Sequence, residues 1–163
     1  MIVYLLRHGI AEDFSPCGDA SRSLTEEGVR RLQQASNGWK RVVGEIDEAF
    51  VSPLLRAQQT AAIFLEAVAA SAPRVETATL VPEARPLHAL ELLHAAMHEG
   101  RRGVACIGHE PHMGSLLGLL LTGSERAAIP FKKGLLAIVD IESSATMTGR
   151  LIAAMSQRIA AGL

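Results

Sequence analysis

Short apolar runs alternate along the chain with longer segments that have a helical pattern. The first run, IVYLLR, is apolar, begins with β-branched residues and is ended by Gly9, which is typical of a buried strand. Similar runs recur through the rest of the chain. The pattern predicts six strands, at residues 2–7, 48–52, 74–80, 103–109, 134–142 and 149–155.

Four longer segments carry the signals of helices. In the first, Thr25 has the character of an N-cap, and Glu26 and Glu27 follow where carboxylates suit the helix dipole. Before the second, Ser52 and Pro53 predict an N-cap followed by proline at the first helical position. The predicted helices cover residues 24–43, 53–71, 88–100 and 110–123.

The order of these elements predicts an α/β fold with three layers, in which helices cover both faces of a central, mostly parallel sheet. The segment SSATMT joins the last two strands and is short enough for a hairpin, so an antiparallel closing strand is expected. No repeat or linker divides the chain. Residues 1–163 are therefore expected to form a single domain, a length that can bury a sizeable core.

Composition and charge narrow the possible functions. Hydrophobic residues make up 48% of the chain, charged residues 20%, and the net charge is −1, so neither sign dominates as it would in a general binder of nucleic acid or membrane surfaces. The apolar stretch SLLGLLLTG is too short to span a bilayer, and no signal peptide is evident. Cys17 and Cys106 form no CxxC motif, which favours a reduced, cytoplasmic location.

Polar residues follow the predicted strands at the points where the strands end. Ligands of open α/β sheets gather outside the carboxyl ends of the strands, so these residues are expected to meet at one edge. They are Arg7, His8 and Gly9 after the first strand, Arg56 after the second, Glu83 after the third and His109 after the fourth.

This set of side chains suits a phosphoryl group. The guanidinium groups of Arg7 and Arg56 each offer planar donors that match phosphate oxygens. A neutral histidine such as His8 can attack phosphorus through a free ring nitrogen, and nearby cations favour the neutral form by lowering its pKa. A second histidine, His109, can donate to an oxygen of the transferring group.

Three segments carry a resemblance to a known family. LLRHG, VSPLLRAQQTA and IGHEP resemble the three signatures of the histidine phosphatase superfamily, which is also called the phosphoglycerate-mutase-like family. The small size and the segments RSLTEEG and SPLLRAQQTA are most similar to the short bacterial SixA-type phosphohistidine phosphatases. The similarity extends over most of the chain, from residue 2 to about residue 156.

The resemblance implies a mechanism and a substrate. His8 would be the nucleophile that forms a phosphohistidine intermediate, Arg7, Arg56, His109 and Gly9 would line the phosphate pocket, and water would hydrolyse the intermediate. No metal and no cofactor are implied. The expected partner is a phosphorylated protein such as a histidine phosphotransfer domain. Two alternatives stay open: a phosphatase of a small phosphorylated metabolite such as a sugar phosphate, and a non-catalytic phosphate-binding regulatory module.

Glu83 is a candidate acid with two interpretations. It matches the position at which many members of the family carry the acid that protonates an alcohol leaving group, but VPEARP lacks the fuller motif of the mutases. A nitrogen leaving group departs more easily and needs that acid less. The alternative interpretation is a solvated loop carboxylate or an ion pair with Arg85.

The remaining histidines give weaker signals. His94 and His98 stand four residues apart on a predicted helix, a spacing that can ligate a metal, but solvent-facing residues are the favoured interpretation. The sequence assigns no definite role to the other polar candidates near the motifs. These are His88, His112, Arg22 and Cys17.

Overall fold

A six-stranded sheet forms the centre of the protein in this computed structural model, which describes residues 1–163. Its strands are β1 (Ile2–Arg7), β2 (Glu48–Val51), β3 (Arg74–Glu76), β4 (Gly103–Gly108), β5 (Leu136–Ile141) and β6 (Gly149–Met155). Their order across the sheet is β3-β2-β4-β1-β5-β6. The pairs β1–β4, β2–β4 and β2–β3 are parallel, whereas β5 is antiparallel to both of its neighbours.

Helices cover both faces of the sheet and confirm the predicted three-layer α/β/α fold. They are α1 (Glu26–Val42), α2 (Leu55–Val68), α3 (Pro86–His98), α4 (His112–Thr122) and α5 (Gln157–Ala161). Two short 3₁₀ helices lie at Asp19–Ser21 and Ala78–Leu80. None of the helices has the length and apolar character needed to cross a membrane.

Two hydrophobic cores form because successive strand residues point to opposite faces of the sheet. In β1, Tyr4 and Leu6 belong to the core under α1, α2 and α5, whereas Val3 and Leu5 belong to the core under α3 and α4. Most strand residues of β1 and all of those in β4 are buried. This two-sided burial explains why the strands appear in the sequence as continuous apolar runs.

The start of α1 is fixed by the predicted cap. Thr25 is the N-cap residue, and its hydroxyl accepts a hydrogen bond from the amide nitrogen of Gly28 at 3.0 Å. Gly28 also permits close packing, because a Cβ atom there would lie 2.0 Å from the carbonyl oxygen of Ile10. The first turn of α1 therefore sits directly against the segment that follows β1.

The predicted start of α2 is wrong. Its N-cap residue is Leu54, the helix begins at Leu55, and Pro53 precedes the helix. The Ser52 hydroxyl accepts a hydrogen bond from the amide of Leu54 only at the long distance of 3.4 Å. Its shorter hydrogen bond is with a histidine at the edge of the sheet. The Ser-Pro pair thus ends β2 rather than capping the helix.

The third strand is shorter than predicted. Pairing with β2 ends at Glu76, and the residues that follow turn into a 3₁₀ helix. The Thr77 hydroxyl accepts the amide of Thr79 at 3.2 Å, which stabilises the turn in place of a further strand pair. Because β3 is an exposed edge strand, it has only one neighbouring strand, and no second strand holds the residues after Glu76 in an extended conformation.

Candidate active site

Four of the predicted site residues lie together at the carboxyl edge of the parallel strands. Arg7 is the last residue of β1, and His8 follows it. His109 follows β4, which pairs directly with β1, and Arg56 lies in the first turn of α2. The rings of His8 and His109 are 4.9 Å apart between centroids.

The His8 ring is held in one tautomer by the backbone. Its Nδ1–H donates to the carbonyl oxygen of Gly9 at 2.7 Å, which leaves Nε2 as the unprotonated nitrogen with no hydrogen bond to the protein. The amide of Gly9 donates in turn to the Thr60 hydroxyl at 3.1 Å. Gly9 thus orients the imidazole through its carbonyl, and its predicted contact with substrate stays a prediction.

The environment of His8 favours the neutral, nucleophilic form. Burial lowers the pKa of His8 to about 4, and the positive charges of Arg56, Arg7 and Lys133 act in the same direction, against the opposing effect of the Gly9 hydrogen bond. The side chain is only 6% exposed. At neutral pH the ring is therefore an uncharged imidazole with one free nitrogen.

We expect the His8 imidazole to titrate near pH 4 rather than near the ordinary value of 6.5. Burial and neighbouring cations penalise the protonated ring, so Nε2 gains a proton only when the pH falls through the lowered pKa. Nitrogen-15 NMR of histidine-labelled protein measures this directly, with an unstructured histidine peptide as the reference. Protonation of His8 in the range of that peptide would contradict the described environment.

The Arg7 guanidinium is half-buried and keeps part of its hydrogen-bonding capacity. Its Nη1 donates to the carbonyl of Phe131, while the buried Nε has no hydrogen-bond partner. Burial lowers the pKa of Arg7, and the charge of Glu110 opposes that effect. Such an unsatisfied buried donor can be paired by a bound anion.

Arg56 is held by Asp19, a residue that the sequence analysis did not identify. The guanidinium is 4% exposed and donates to the Asp19 carbonyl oxygen at 2.8 Å and to its carboxylate at 2.9 Å. Arg22 donates to the other carboxylate oxygen at 2.6 Å. The hydrogen bonds from Arg22 and Arg56 lower the pKa of Asp19. Asp19 is therefore an ionised acceptor and not a proton donor at neutral pH.

His109 is fixed by Ser52. Its Nε2 lies 2.8 Å from the Ser52 hydroxyl oxygen, whereas its buried Nδ1 has no hydrogen-bond partner. Burial, followed by the charges of His8 and Arg56, lowers the pKa of His109 to about 3. If the Ser52 O–H donates to Nε2, the Nδ1 of the neutral ring carries the proton and can donate to an oxyanion.

Glu83 lies apart from these contacts. Its side chain is exposed in the segment between the second 3₁₀ helix and α3, and it makes no hydrogen bond or ion pair. The proposed pairing with Arg85 is absent, since Arg85 contacts Glu125 at 3.5 Å. The structure thus favours the solvated-carboxylate interpretation for Glu83 over an ion pair, and its catalytic role stays a prediction.

The other histidines fall outside the cluster of four. The His94 and His98 rings contact each other on α3 with centroids 4.5 Å apart, and no group of three or more potential metal ligands occurs in the structure. His112 is buried in the first turn of α4, where burial lowers its pKa to about 4 against the opposing effect of the Arg85 backbone. His88 and Cys17 are exposed.

Comparisons with known proteins agree with this arrangement. Residues 3–80 match the model of the histidine phosphatase superfamily, branch 1. The chain is 34% identical over 127 residues to the phosphohistidine phosphatase SixA of Escherichia coli K12, with 76% of each protein covered.

Solved structures show the same fold. A structure of the protein histidine phosphatase SixA complexed with tungstate has a TM-score of 0.88 and 28% identity, and 98% of this chain and 99% of that chain are covered. The α-ribazole phosphatase of Shigella flexneri has a TM-score of 0.74 at 17% identity, with 96% and 97% covered. At that identity the likeness extends to the fold alone.

Proposed function

The chain belongs to the histidine phosphatase superfamily and is a phosphatase, and we propose that it removes phosphoryl groups from phosphohistidine in a protein substrate. The observation that carries this proposal is the pairing of His8 Nδ1 with the Gly9 carbonyl, which leaves Nε2 free beside His109. The similarity to SixA supports the choice of substrate.

The first chemical step transfers the phosphoryl group to the enzyme. The Nε2 lone pair of His8 attacks phosphorus, a new N–P bond forms, and the N–P bond to the substrate imidazole breaks. The departing imidazole accepts a proton from water at its other ring nitrogen as the bonding pair returns to it. Arg7, Arg56 and the Nδ1–H of His109 hold the phosphoryl oxygens and stabilise their charge.

The second step releases inorganic phosphate. Water attacks the phosphorus of phospho-His8, the N–P bond breaks, and its electron pair returns to Nε2. The proton lost by the water goes to solvent or to a phosphate oxygen. The Gly9 carbonyl keeps Nδ1 protonated throughout, so His8 regains its original tautomer for the next cycle.

The states of Asp19 and Glu83 support a leaving group that needs no proton from either of them. Asp19 is held ionised by two arginines, and Glu83 is exposed without a contact that would fix it near phosphorus. An alkoxide leaves poorly without a proton donor, whereas an imidazole has a second nitrogen that takes a proton from water. A nitrogen-linked phosphoryl group therefore fits the site better than an alkyl phosphate.

We expect Glu83→Gln to change kcat/KM for a phosphohistidine protein by less than about twofold, because an exposed carboxylate contributes little when no acid is needed. The measurement compares a phosphorylated histidine phosphotransfer domain with sugar phosphates, for both the parent protein and the variant. A large loss on sugar phosphates alone would make Glu83 the acid of a side activity. A parent protein more active on sugar phosphates than on phosphohistidine would overturn the proposed substrate.

A further inference from the structure

A strongly basic groove lies beside the active site. It has a volume of about 760 Å³ and runs between α1, the segment before β5, and α5, with Arg7 of the active site in its wall. We call it the basic groove. Its cations are Arg7, Arg30, Arg31, Lys132, Lys133 and Arg158.

Positive charge in the basic groove is almost unopposed. Six of the chain's 16 lysine and arginine residues line it, although the whole chain has a net charge of −1. Glu27 is the only acidic residue in the lining, and it pairs with Arg31 at 2.6 Å and with Arg30. Lys132, Lys133 and Arg158 form no ion pair. This part of the surface is therefore poised to attract an anion.

The basic groove is joined to the catalytic strand by direct contacts. Arg7 donates to the carbonyl of Phe131, and the amide of Gly134 lies 3.1 Å from the carbonyl oxygen of Arg7 and 3.0 Å from that of His8. The two lysines lie between these anchored positions. A charged group bound to them is consequently held next to the nucleophile, and Lys133 is close enough to contribute to the lowered pKa of His8.

One buried side chain in the basic groove lacks a partner. Gln157 is 7% exposed, and its Nε2 makes no hydrogen bond within the protein. It packs over Gly134, whose φ is +67° and where a Cβ atom would lie 2.2 Å from the Gln157 Cδ. An unpaired buried amide is costly unless a ligand completes its hydrogen bonds, and a carboxylate oxygen would do so.

We propose that the basic groove docks an acidic face of the protein that carries the phosphohistidine, a proposal that rests on the proposed function. Carboxylates around the phosphohistidine would meet the exposed cations while the phosphoryl group enters the pocket between Arg7 and Arg56. Complementary charge of this kind steers association and orients the partner. Docking would thus raise the rate of productive encounter without altering the chemistry at His8.

The lining favours a protein surface over a small ligand. Pockets for small organic molecules are mostly apolar with a few placed polar groups. Here only Ile10 and Ala161 among the 12 lining residues are hydrophobic, and every cation of the groove except Arg7 is exposed. Flexible, exposed ammonium and guanidinium groups suit several separated carboxylates better than one compact anion.

The test uses two phosphohistidine peptides of equal length, one flanked by glutamate and the other by glutamine. The test variant is Lys132→Glu with Arg158→Glu. The control variant is Lys40→Glu with Arg41→Glu, which makes the same charge change in the last turn of α1, distant from the carboxyl edge of the sheet. Hydrolysis of a nitrophenyl phosphate, which has no flanking residues to dock, reports the activity of the catalytic site alone in all three proteins.

We expect the parent protein to prefer the glutamate peptide by about tenfold or more in kcat/KM, and the test variant to lose that preference. The preference should shrink as salt rises from about 50 to 500 mM, because exposed charges are screened. The kcat for nitrophenyl phosphate, measured at saturating substrate so that charge steering does not enter, should stay within about twofold in both variants, since these are exposed surface positions. That activity also shows that the variants fold. If the charge-reversed variant does not fold, Lys132→Gln with Arg158→Gln removes the same two charges with a milder change.

Equal turnover of both peptides by the parent protein would overturn the docking proposal while leaving the proposed function intact. So would an equal loss of preference in the control variant. A parent protein that hydrolyses nitrophenyl phosphate but neither peptide would overturn the proposed function itself, and the docking proposal with it. Tighter binding of tripolyphosphate than of a glutamate-rich peptide, abolished in the test variant, would assign the basic groove to a small polyanion instead.

Discussion

Replacing His8 with alanine is expected to lower phosphatase activity by at least about 10⁴-fold, the order of loss that follows removal of a catalytic nucleophile. The substitution removes the one imidazole whose tautomer is set by the Gly9 carbonyl and whose Nε2 is free. Arg7, Arg56 and His109 would still bind phosphate but would have no nucleophile to direct at it. Release of phosphate from nitrophenyl phosphate and from a phosphohistidine protein measures the effect.

His98→Ala is the matched control, because His98 is an exposed histidine on α3 outside the site. It should keep activity within about twofold of the parent protein, as expected of a surface substitution. His8 is buried, so circular dichroism and thermal unfolding must show that His8→Ala retains the fold. A folded His8→Ala protein with more than a tenth of the parent activity would remove His8 from the role of nucleophile.

Replacing Arg56 with alanine is expected to lower kcat/KM by about 10²- to 10³-fold, the usual cost of losing one preorganised donor to a developing charge. The guanidinium is nearly buried at the first turn of α2, so water cannot readily substitute for it. Arg56→Lys should recover only part of the loss, because an ammonium retains the charge but lacks the planar pair of donors. Steady-state kinetics on nitrophenyl phosphate measures both variants.

Asp19→Asn separates the two contacts that Arg56 makes. Asp19 accepts a hydrogen bond from Arg56 at 2.9 Å, so Arg56→Ala removes this ion pair as well as the proposed phosphate contact. If Arg56 acts on the phosphoryl group, Asp19→Asn should lose less than about tenfold, because an amide oxygen still accepts a hydrogen bond. An Asp19→Asn protein as inactive as Arg56→Ala would show that the ion pair, and not a phosphate contact, accounts for the loss.

The sequence predicted the main strands and the cluster of four because both follow from local pattern. Buried parallel strands appear as apolar runs, and the residues after β1, β2 and β4 must meet at one edge of the sheet. The position of β5 was not predictable in the same way. In the structure β5 pairs with β1 as well as with β6, and it is antiparallel to both. Because β5 is buried on both faces, its sequence has the same apolar pattern as the parallel strands, and this pattern does not reveal its direction or its neighbours.

The contacts that the sequence analysis missed depend on tertiary structure. Asp19 reaches Arg56 across 37 residues, and Ser52 reaches His109 across 57, so no local spacing indicates either pair. The Ser-Pro dipeptide has the sequence signature of a helix start, and that signature is the same whether the serine hydroxyl caps a helix or hydrogen-bonds to a histidine ring. The short helix α5 was also missed, since Gln157–Ala161 is too brief for an apolar repeat to become evident.

Trapping the phosphorylated enzyme tests the central claim most directly. After rapid mixing with a ³²P-labelled phosphohistidine protein and quenching in alkali, the account predicts a label on this protein that is stable in base and lost in acid. Mass spectrometry of the digest should place it on His8, and His8→Ala should carry none. Full turnover by the parent protein with label on another residue, or with no phosphorylated enzyme at any time after mixing, would contradict the account.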